Sequence, residues 1–134
     1  MENRPQKILL VVEDDADLRN VLVDGLKNLN YQIIQAEDGE QAVGLLLDQK
    51  PDLVLLDLLL PKLDGFKVLE RIRKYPDKAV ADTKVIVLSN LWSNKDILRA
   101  QALKIDEYFV KANTNMEDVF KKVRVILSGA PASN

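Results

Sequence analysis

The sequence predicts an α/β domain in which one parallel sheet carries helices on both faces. Short β-rich runs alternate five times with amphipathic stretches along the 134 residues. Three of the β-rich runs are nearly continuous valine, isoleucine and leucine, which is typical of parallel strands covered on both sides. Because no Gly-, Ser- or Pro-rich linker interrupts this pattern, we expect residues 1–134 to form a single domain.

Each predicted strand is a short run bounded by polar or turn-forming residues. In chain order, the strands are expected at Lys7–Val12, Gln32–Ala36, Leu53–Leu56, Lys84–Leu88 and Glu107–Val110. Since strands and helices alternate, each crossover is expected to be right-handed, so that the helices cover both faces of the sheet.

The helices are predicted from apolar residues at helical spacing and from capping signals. The positions at helical spacing in the first helix are Leu18, Val21, Leu22, Gly25, Leu26 and Leu29, and those in the last are Val119, Phe120, Val123, Ile126 and Leu127.

Two helix starts have the spacing of a capping box, Ser93 with Asp96 and Thr114 with Glu117. After the last helix, the small and polar residues 128–134 are expected to form a loose tail, which leaves a folded core over residues 7–127.

The composition excludes several kinds of chemistry. The chain has 19 basic and 21 acidic residues, a formal net charge of -2, and neither cysteine nor histidine. Disulfides, thiolate metal sites and cysteine nucleophiles are therefore excluded, and the commonest general base and zinc ligand is missing. The charge balance gives no electrostatic basis for direct binding of nucleic acid. Any chemistry must use carboxylates, hydroxyls, lysine or backbone groups.

The sequence predicts neither a secretory signal nor a membrane span. A signal peptide needs a basic start and an apolar stretch of about 7–15 residues, whereas the polar amino terminus leads only into Ile8–Val12. The longest apolar run, Leu53–Pro61, is far shorter than the roughly 20 residues that cross a bilayer, and it contains Asp57. We therefore expect a cytoplasmic protein with no membrane partner.

Polar residues follow the predicted strands at the edge where open parallel sheets bind ligands, which is the carboxyl end of the strands. These residues are Glu13, Asp14 and Asp15 after the first strand, Asp57 after the third, Ser89 after the fourth and Lys111 after the fifth. We expect these carboxylates, the hydroxyl and the ammonium group to converge at one edge.

Asp57 is the sharpest of these signals because apolar residues flank it on both sides. An ionised carboxylate in such surroundings is costly unless a cation compensates it. The alternative is that Asp57 only caps the turn at the end of its strand, as aspartate often does. One of the three acids after the first strand is likewise expected to cap the helix that follows.

The carboxylates together favour magnesium. They form an all-oxygen ligand set, which suits Mg²⁺ and phosphate oxygens, whereas zinc and copper would lack their usual ligands. A carboxylate beside Mg²⁺ can act as a nucleophile toward a phosphoryl group, with Lys111 neutralising charge and Ser89 donating a hydrogen bond. Taken singly, Lys111 also fits a solvated surface lysine and Ser89 a hydroxyl bonded to the backbone.

Four segments in order resemble the receiver domain of bacterial two-component response regulators. They are Ile8–Asp15, Asp57–Gly65, Val85–Ser89 and Tyr108–Lys111, and the resemblance extends over nearly the whole chain. Each segment alone is weak evidence for this family, but the four segments in this order and at this spacing are specific to it. The resemblance implies a flavodoxin-like, doubly wound (βα)5 fold whose five-stranded parallel sheet has the order 2-1-3-4-5.

The resemblance also implies the metal site. Asp57 would be the phosphoacceptor, and Mg²⁺ would be bound by Asp14 directly, by Glu13 through water, by Asp57 and by the backbone carbonyl of Leu59.

A switch is implied by the same resemblance. Lys111 would bind the phosphoryl group, Ser89 would be the switch hydroxyl, and Tyr108 would be the aromatic residue that changes rotamer on the output face. That face would comprise the helix starting near Ser93, the fifth strand and the last helix, and it would bind a downstream protein.

The implied phosphoryl donor is a phosphohistidine on a sensor histidine kinase or a histidine phosphotransfer protein. Because this chain has no histidine, the donor must be another protein. Only 23 residues follow Lys111, so we expect no DNA-binding or catalytic output domain in this sequence. Whether the chain is a stand-alone regulator or part of a longer one stays open.

Two departures from the family pattern affect the expectations. Ala112 stands where the family commonly has a cis proline, and we expect a trans bond because a non-proline cis bond costs about 3 kcal/mol. The usually small residue after the switch hydroxyl is Asn90, a bulkier side chain beside the phosphoryl position. Leu59 and Leu91 add apolar bulk where family members often admit water, so slow autodephosphorylation is expected.

Two other functions remain as alternatives. A magnesium-dependent phosphohydrolase of the haloacid dehalogenase type needs a second aspartate two residues after the nucleophile, where this chain has Leu59. We therefore do not expect an enzyme beyond self-phosphorylation and self-dephosphorylation. A pseudo-receiver that binds partners independently of phosphorylation is the other alternative. The retained acids, Asp57, Ser89 and Lys111 argue against it, whereas the missing proline after Lys111 leaves it open.

Overall fold

The computed structural model describes residues 6–27 and 30–129, which form one parallel sheet and its covering helices. The strands are β1 (Ile8–Val12), β2 (Gln32–Ala36), β3 (Leu53–Leu56), β4 (Lys84–Ser89) and β5 (Glu107–Val110). All pairings are parallel, and the strand order is β2-β1-β3-β4-β5, which confirms the predicted fold and order. The predicted bounds differ only in that β1 begins one residue later and β4 extends to Ser89.

Six α-helices cover the sheet within the described residues. They are α1 (Ala16–Leu26), α2 (Gly39–Gln49), α3 (Gly65–Arg73), α4 (Lys78–Ala81), α5 (Asn94–Ala102) and α6 (Met116–Ser128). The short α4 was not predicted because four residues are too few to show helical periodicity. It starts at Asp77, whose side chain accepts a hydrogen bond from the Ala79 N–H at 2.9 Å.

The capping predictions have mixed outcomes. Ser93 caps α5 as predicted, since its Oγ accepts from the Asp96 N–H at 3.2 Å and donates to the Asp96 carboxylate at 2.8 Å. The predicted cap at Thr114 is wrong. Asn115 caps α6 instead by accepting from the Glu117 N–H at 2.9 Å, because the Thr114 hydroxyl is already donated to the Val110 carbonyl at 2.6 Å.

The two faces of the sheet form separate apolar layers because successive side chains of a strand point in opposite directions. In β1, Leu10 and Val12 pack into the layer beneath α2 and α3, whereas Leu9 and Val11 pack into the layer beneath α1 and α6. Both layers are fully buried at these positions. A core on each face makes the sheet a rigid support for residues at its carboxyl edge.

The carboxyl end of α6 lies close to the end of the described residues. Ser128 is the last residue of α6, so the predicted loose tail does not begin at Ser128, and Gly129 follows with a left-handed φ of 69° that suits glycine. The rest of the predicted tail, residues 130–134, lies outside the described residues, as does Leu29 of the predicted first helix. None of the described helices is long and apolar enough to span a membrane.

Candidate functional site

The strand register brings the acidic residues together. Val12 at the end of β1 pairs with Leu56 at the end of β3, so the next residues, Glu13 and Asp57, lie side by side beyond the sheet. On the other side of β3, the β4–β5 pairing joins Ser89 to Val110, and Lys111 follows directly. The predicted convergence at the carboxyl edge of the strands is confirmed for Glu13, Asp14, Asp57 and Lys111, but not for Asp15.

Lys111 bridges two buried carboxylates. Its Nζ lies 2.7 Å from Oδ2 of Asp57 and 2.8 Å from Oε1 of Glu13. The side chains of Glu13 and Asp57 are 2% and 4% exposed, and that of Lys111 is 17% exposed. Lys111 is therefore not a solvated surface lysine, and Asp57 has the cation that its apolar surroundings require.

Burial and ion pairing act in opposite directions on these groups. Burial raises the pKa of the Glu13 carboxyl above its ordinary value, and the hydrogen bond from Lys111 offsets only part of this effect. Burial alone would lower the pKa of Lys111, but the hydrogen bonds and charges of Asp57 and Glu13 together outweigh it and raise this pKa. The Lys111 ammonium group is thus held in its charged form.

The three adjacent acids after β1 have separate positions. Asp15 caps α1, accepting from the Asp17 N–H at 2.9 Å. Glu13 is buried, and its Oε2 accepts from the Asp15 N–H at 3.1 Å. Asp14 is exposed, and one carboxylate oxygen each from Glu13, Asp14 and Asp57 lies within 4.8 Å of the others. This all-oxygen set with one open side fits a hydrated Mg²⁺.

The loop after β3 holds the Asp57 carboxylate in place. The Leu59 N–H donates to Oδ1 of Asp57 at 3.1 Å, while Lys111 binds Oδ2. The Gly65 N–H donates to the Leu58 carbonyl at 2.9 Å, and a Cβ at Gly65 would overlap the Asp57 carbonyl. Glycine at this position therefore lets α3 start directly against the loop that carries Asp57.

Ser89 and Tyr108 are connected through the loop after β4. Ser89 is fully buried, and its Oγ accepts from the Leu91 N–H at 3.3 Å. The Tyr108 hydroxyl donates to the Leu91 carbonyl at 2.6 Å. Burial, together with the charges of Asp96 and Asp57, raises the pKa of Tyr108 to about 12. In this structure the Ser89 hydroxyl is bonded to backbone, as the alternative interpretation of that residue expected.

Ala112 does not disturb the position of Lys111. Among the described residues no peptide bond is cis, so the bond between Lys111 and Ala112 is trans, as expected. Residues Lys111–Asn113 form a 3₁₀ turn directly after β5. Lys111 reaches Asp57 and Glu13 from this turn without a cis proline.

Two neighbours of the site were not predicted. Arg19 of α1 donates to the Glu13 carbonyl at 2.7 Å and so fixes the backbone beside the acids. Lys62 has a left-handed φ of 67° and lies 3.6 Å from the buried Asp38 carboxylate at the start of α2. For Arg19 no sequence signal exists. No sequence signal exists for Lys62 either, because the close approach of Gly39 to the Leu63 carbonyl beside it is decided by the tertiary structure.

Comparison with known proteins gives one consistent family. The family model described as "Response regulator receiver domain" matches residues 9–124. The chain is 34% identical over 119 residues to the probable transcriptional regulator ycf27 of Guillardia theta, and 33% identical over 119 residues to the DNA-binding dual master transcriptional regulator RpaA of Synechocystis. Both alignments cover 89% of this chain, and it spans 44% and 48% of those proteins, less than half of their length.

A solved structure supports the same assignment. The Mn²⁺-bound form of response regulator Rcp1 is 32% identical and superimposes with a TM-score of 0.76, covering 91% of this chain and 92% of that one. Its metal is a property of that protein. The similarity extends over almost the whole of both chains.

Proposed function

The chain belongs to the response regulator receiver domain family, and we propose that it takes a phosphoryl group onto Asp57 and thereby changes a protein-binding face. The observation that carries this proposal is the position of Lys111, whose Nζ contacts both Asp57 and Glu13 in a mostly buried site. A cation held beside an otherwise costly carboxylate is the arrangement that can receive a phosphoryl dianion. A pseudo-receiver would not need this constellation.

The transfer is a displacement at phosphorus. One oxygen of the Asp57 carboxylate attacks the phosphorus of a phosphohistidine on a sensor histidine kinase or a histidine phosphotransfer protein. The new O–P bond forms as the P–N bond breaks, and the electron pair leaves with the imidazole nitrogen. Lys111 keeps its charge and moves its hydrogen bond from Asp57 to a phosphoryl oxygen.

Magnesium would be held by Asp14, by Asp57, by Glu13 through water and by the Leu59 carbonyl, and when bound it neutralises charge on the transferring group. The fit rests on the donor set of the structure, which is three carboxylates with Asp14 open to solvent. Glu13 and Asp57 are the buried members, and Lys111 balances part of their charge. The chemistry is confined to the protein's own aspartate, so no separate substrate is turned over.

The output face is formed by α5, β5 and α6. A phosphoryl group on Asp57 offers acceptor oxygens to the Ser89 hydroxyl, which would leave its bond with the Leu91 N–H. Tyr108 contacts the same Leu91 and adjoins a groove of about 220 Å³ between α5 and β5. Trp92 and Leu98 are 74% and 64% exposed on this side, which gives an effector protein two apolar contacts.

The direct test is labelling of Asp57 by a small phosphodonor. The protein is incubated with acetyl phosphate and Mg²⁺, and the phosphoryl adduct is located by intact mass and peptide mapping. We expect one Mg²⁺-dependent adduct on Asp57, lost in Asp57→Asn and retained in the matched control Asp48→Asn, which alters an exposed aspartate of α2. Beryllofluoride is expected to bind with the same Mg²⁺ requirement.

The variant Lys111→Ala tests whether labelling of Asp57 depends on the cation beside it. A receiver is expected to lose most of its labelling in this variant, because the charge on the phosphoryl oxygens is no longer neutralised.

If the folded wild-type protein gives no adduct and does not bind beryllofluoride, the pseudo-receiver alternative is correct. Release of inorganic phosphate from an ordinary phosphomonoester such as p-nitrophenyl phosphate, rather than only from a high-energy phosphodonor, would instead favour the phosphohydrolase.

A further inference from the structure

A groove lies between α2, from Val43 onwards, and the carboxyl-terminal part of α3, and it has a volume of about 400 Å³. Its walls are mainly apolar, with Val43 and Leu47 from α2 facing Ile72, Tyr75 and Pro76 from the end of α3 and the turn after it. Because the helices run back along the strands, this groove lies at the amino edge of the sheet, away from Asp57. It is therefore separate from the phosphoacceptor site.

The rim of the groove is positively charged. Arg71 and Lys74 line it, and Lys67 continues the same exposed stripe of α3 at helical spacing. None of the three has a carboxylate within 4.0 Å among the described residues, because nearby acids have other partners. Glu70 is paired with Arg99 of α5 at 3.3 Å, and Asp77 with Lys50 at 2.9 Å. An overall acidic chain thus presents unpaired cations beside an apolar groove.

Gly44 adds an independent observation. It lies inside α2, one residue after Val43 and three before Leu47, and a Cβ there would meet no atom within 4 Å. A glycine inside a helix is less favourable than alanine because its backbone loses more conformational freedom on folding. At Gly25, Gly39 and Gly65 close neighbours explain the glycine, whereas at Gly44 no atom of the described residues 6–27 and 30–129 does. Gly44 does not line the groove, but it follows the lining residue Val43 directly in α2, and its bare backbone leaves room for a second chain to lie close.

We propose that this groove binds an acidic amphipathic helix of a partner protein. Apolar side chains of the partner fill the space between Leu47 and Tyr75, its carboxylates pair with Arg71 and Lys74, and its backbone passes over Gly44. Apolar anchors with a charged rim are the usual composition of a helix-binding groove. The proposal does not depend on phosphorylation of Asp57, because the groove lies at the opposite edge of the sheet.

The probe is a synthetic peptide of about 14 residues with leucine at positions i, i+3, i+4 and i+7 and glutamate at the flanking positions. Binding to the full chain is followed by amide chemical shifts in ¹⁵N NMR spectra. We expect saturable shifts centred on Val43, Leu47 and Tyr75. The matched peptide with lysine in place of glutamate is expected to bind at least about tenfold more weakly.

Charge reversal tests the rim. The variant Arg71→Glu with Lys74→Glu is expected to bind the acidic peptide at least about tenfold more weakly and to bind the lysine peptide more tightly. The matched control, Lys95→Glu with Lys121→Glu, changes two exposed lysines on other helices and should leave the affinity unchanged. All variants are checked for folding by circular dichroism.

The variant Gly44→Ala tests whether the glycine is needed for partner binding or for the stability of the free protein. The methyl group has room in the free protein, so the thermal midpoint should rise, but it would meet the bound partner, so affinity should fall. A rise in stability with unchanged affinity overturns the placement of the partner over Gly44. The proposal is overturned as a whole if the acidic peptide shows no saturable binding up to about 1 mM, if its shifts map to another surface, or if the control charge reversal weakens binding equally.

Discussion

The Tyr108 hydroxyl donates a hydrogen bond of 2.6 Å to the carbonyl oxygen of Leu91. The N–H of the same Leu91 donates to Oγ of Ser89 at 3.3 Å. One loop residue therefore bonds both to the Ser89 hydroxyl at the end of β4 and to the Tyr108 hydroxyl on β5. If Ser89 moves, the Leu91 N–H loses its acceptor. Because the Leu91 carbonyl accepts from Tyr108, a shift of Leu91 would also change the hydrogen bond of Tyr108.

Ser89→Ala is expected to separate phosphorylation from its effect on the output face. The variant keeps Asp57 and Lys111, so acetyl phosphate should still label it. It lacks the hydroxyl that would donate a hydrogen bond to the phosphoryl group. Trp92 is the only tryptophan and is exposed on the affected loop, so its fluorescence reports the change. We expect a phosphorylation-dependent change in wild type and none in Ser89→Ala.

Ser89→Thr serves as the conservative control, since it retains the hydroxyl and should retain the fluorescence response. Equal responses in wild type and Ser89→Ala would contradict the role given to Ser89.

Tyr108 is expected to titrate about two pH units above a free tyrosine. Its pKa is about 12 in the folded protein against 10.0 for the unperturbed side chain, because burial and the charges of Asp96 and Asp57 disfavour tyrosinate. Since the folded-state pKa is raised, this contribution to stability is complete below pH 10.0 and is lost as the pH rises to about 12.

The measurement is the ultraviolet absorbance of tyrosinate, taken as the difference between wild type and Tyr108→Phe so that Tyr31 and Tyr75 cancel. A difference titration with a midpoint near pH 10, while the protein is still folded, would refute the raised value.

Hydrolysis of the phosphoryl group on Asp57 is expected to be slower in this protein than in most members of the family. The Leu59 side chain, two residues after Asp57, is 52% exposed and presents apolar bulk where water must approach. Replacing it with a polar residue, Leu59→Asn, is expected to accelerate loss of the phosphoryl group by about tenfold, equivalent to about 1.4 kcal/mol of activation free energy.

The decay is followed by phosphate release after removal of the phosphodonor. Leu98→Asn, at an exposed leucine on α5, is the matched control and should decay like wild type. Wild-type decay as fast as that of Leu59→Asn would disprove the blocking role of Leu59.

Two glycines in helices are expected to respond oppositely to alanine. A Cβ at Gly25 would enter the ring of Phe120, so Gly25→Ala should destabilise the contact between α1 and α6 by about 1–3 kcal/mol. A Cβ at Gly44 meets no atom within 4 Å, so Gly44→Ala should stabilise by about 0.5–1 kcal/mol. Urea denaturation measures both, and changes of the same sign would contradict the packing described.

Arg73 is expected to be important for stability. Its guanidinium donates to four backbone carbonyls, those of Leu103, Ala81, Thr83 and Lys104, at 2.7–2.9 Å, and so joins the ends of three helices. Arg73→Lys cannot reproduce this fork and should lower the free energy of unfolding by about 2 kcal/mol or more. The exposed Arg71→Lys should stay within about 0.5 kcal/mol of wild type in the same urea titration, and an equal loss in both would refute this role.

The local pattern of the sequence was sufficient for the strands. Their predicted bounds agree with the structure to within one residue, because a parallel strand buried on both faces needs a continuous apolar run. The same local information was insufficient at Thr114, where the hydroxyl serves the Val110 carbonyl and Asn115 caps the helix. It also missed α4, which has four residues.

For the site, the sequence by itself determined which chemistry was available. Without cysteine or histidine, the acids at the strand ends and Lys111 were the groups left to use, and the parallel order of strands predicted the edge where they meet. Only the tertiary structure decided how the groups pair. Lys111 binds Asp57 across 54 residues of chain, and Tyr108 binds Leu91 across 17.

The cationic rim of the α2–α3 groove and the four-carbonyl contact of Arg73 were likewise decided by the tertiary structure. The physical reason is that periodicity and capping depend on neighbours within about one helical turn, whereas these contacts depend on strand register and on how separate helices pack.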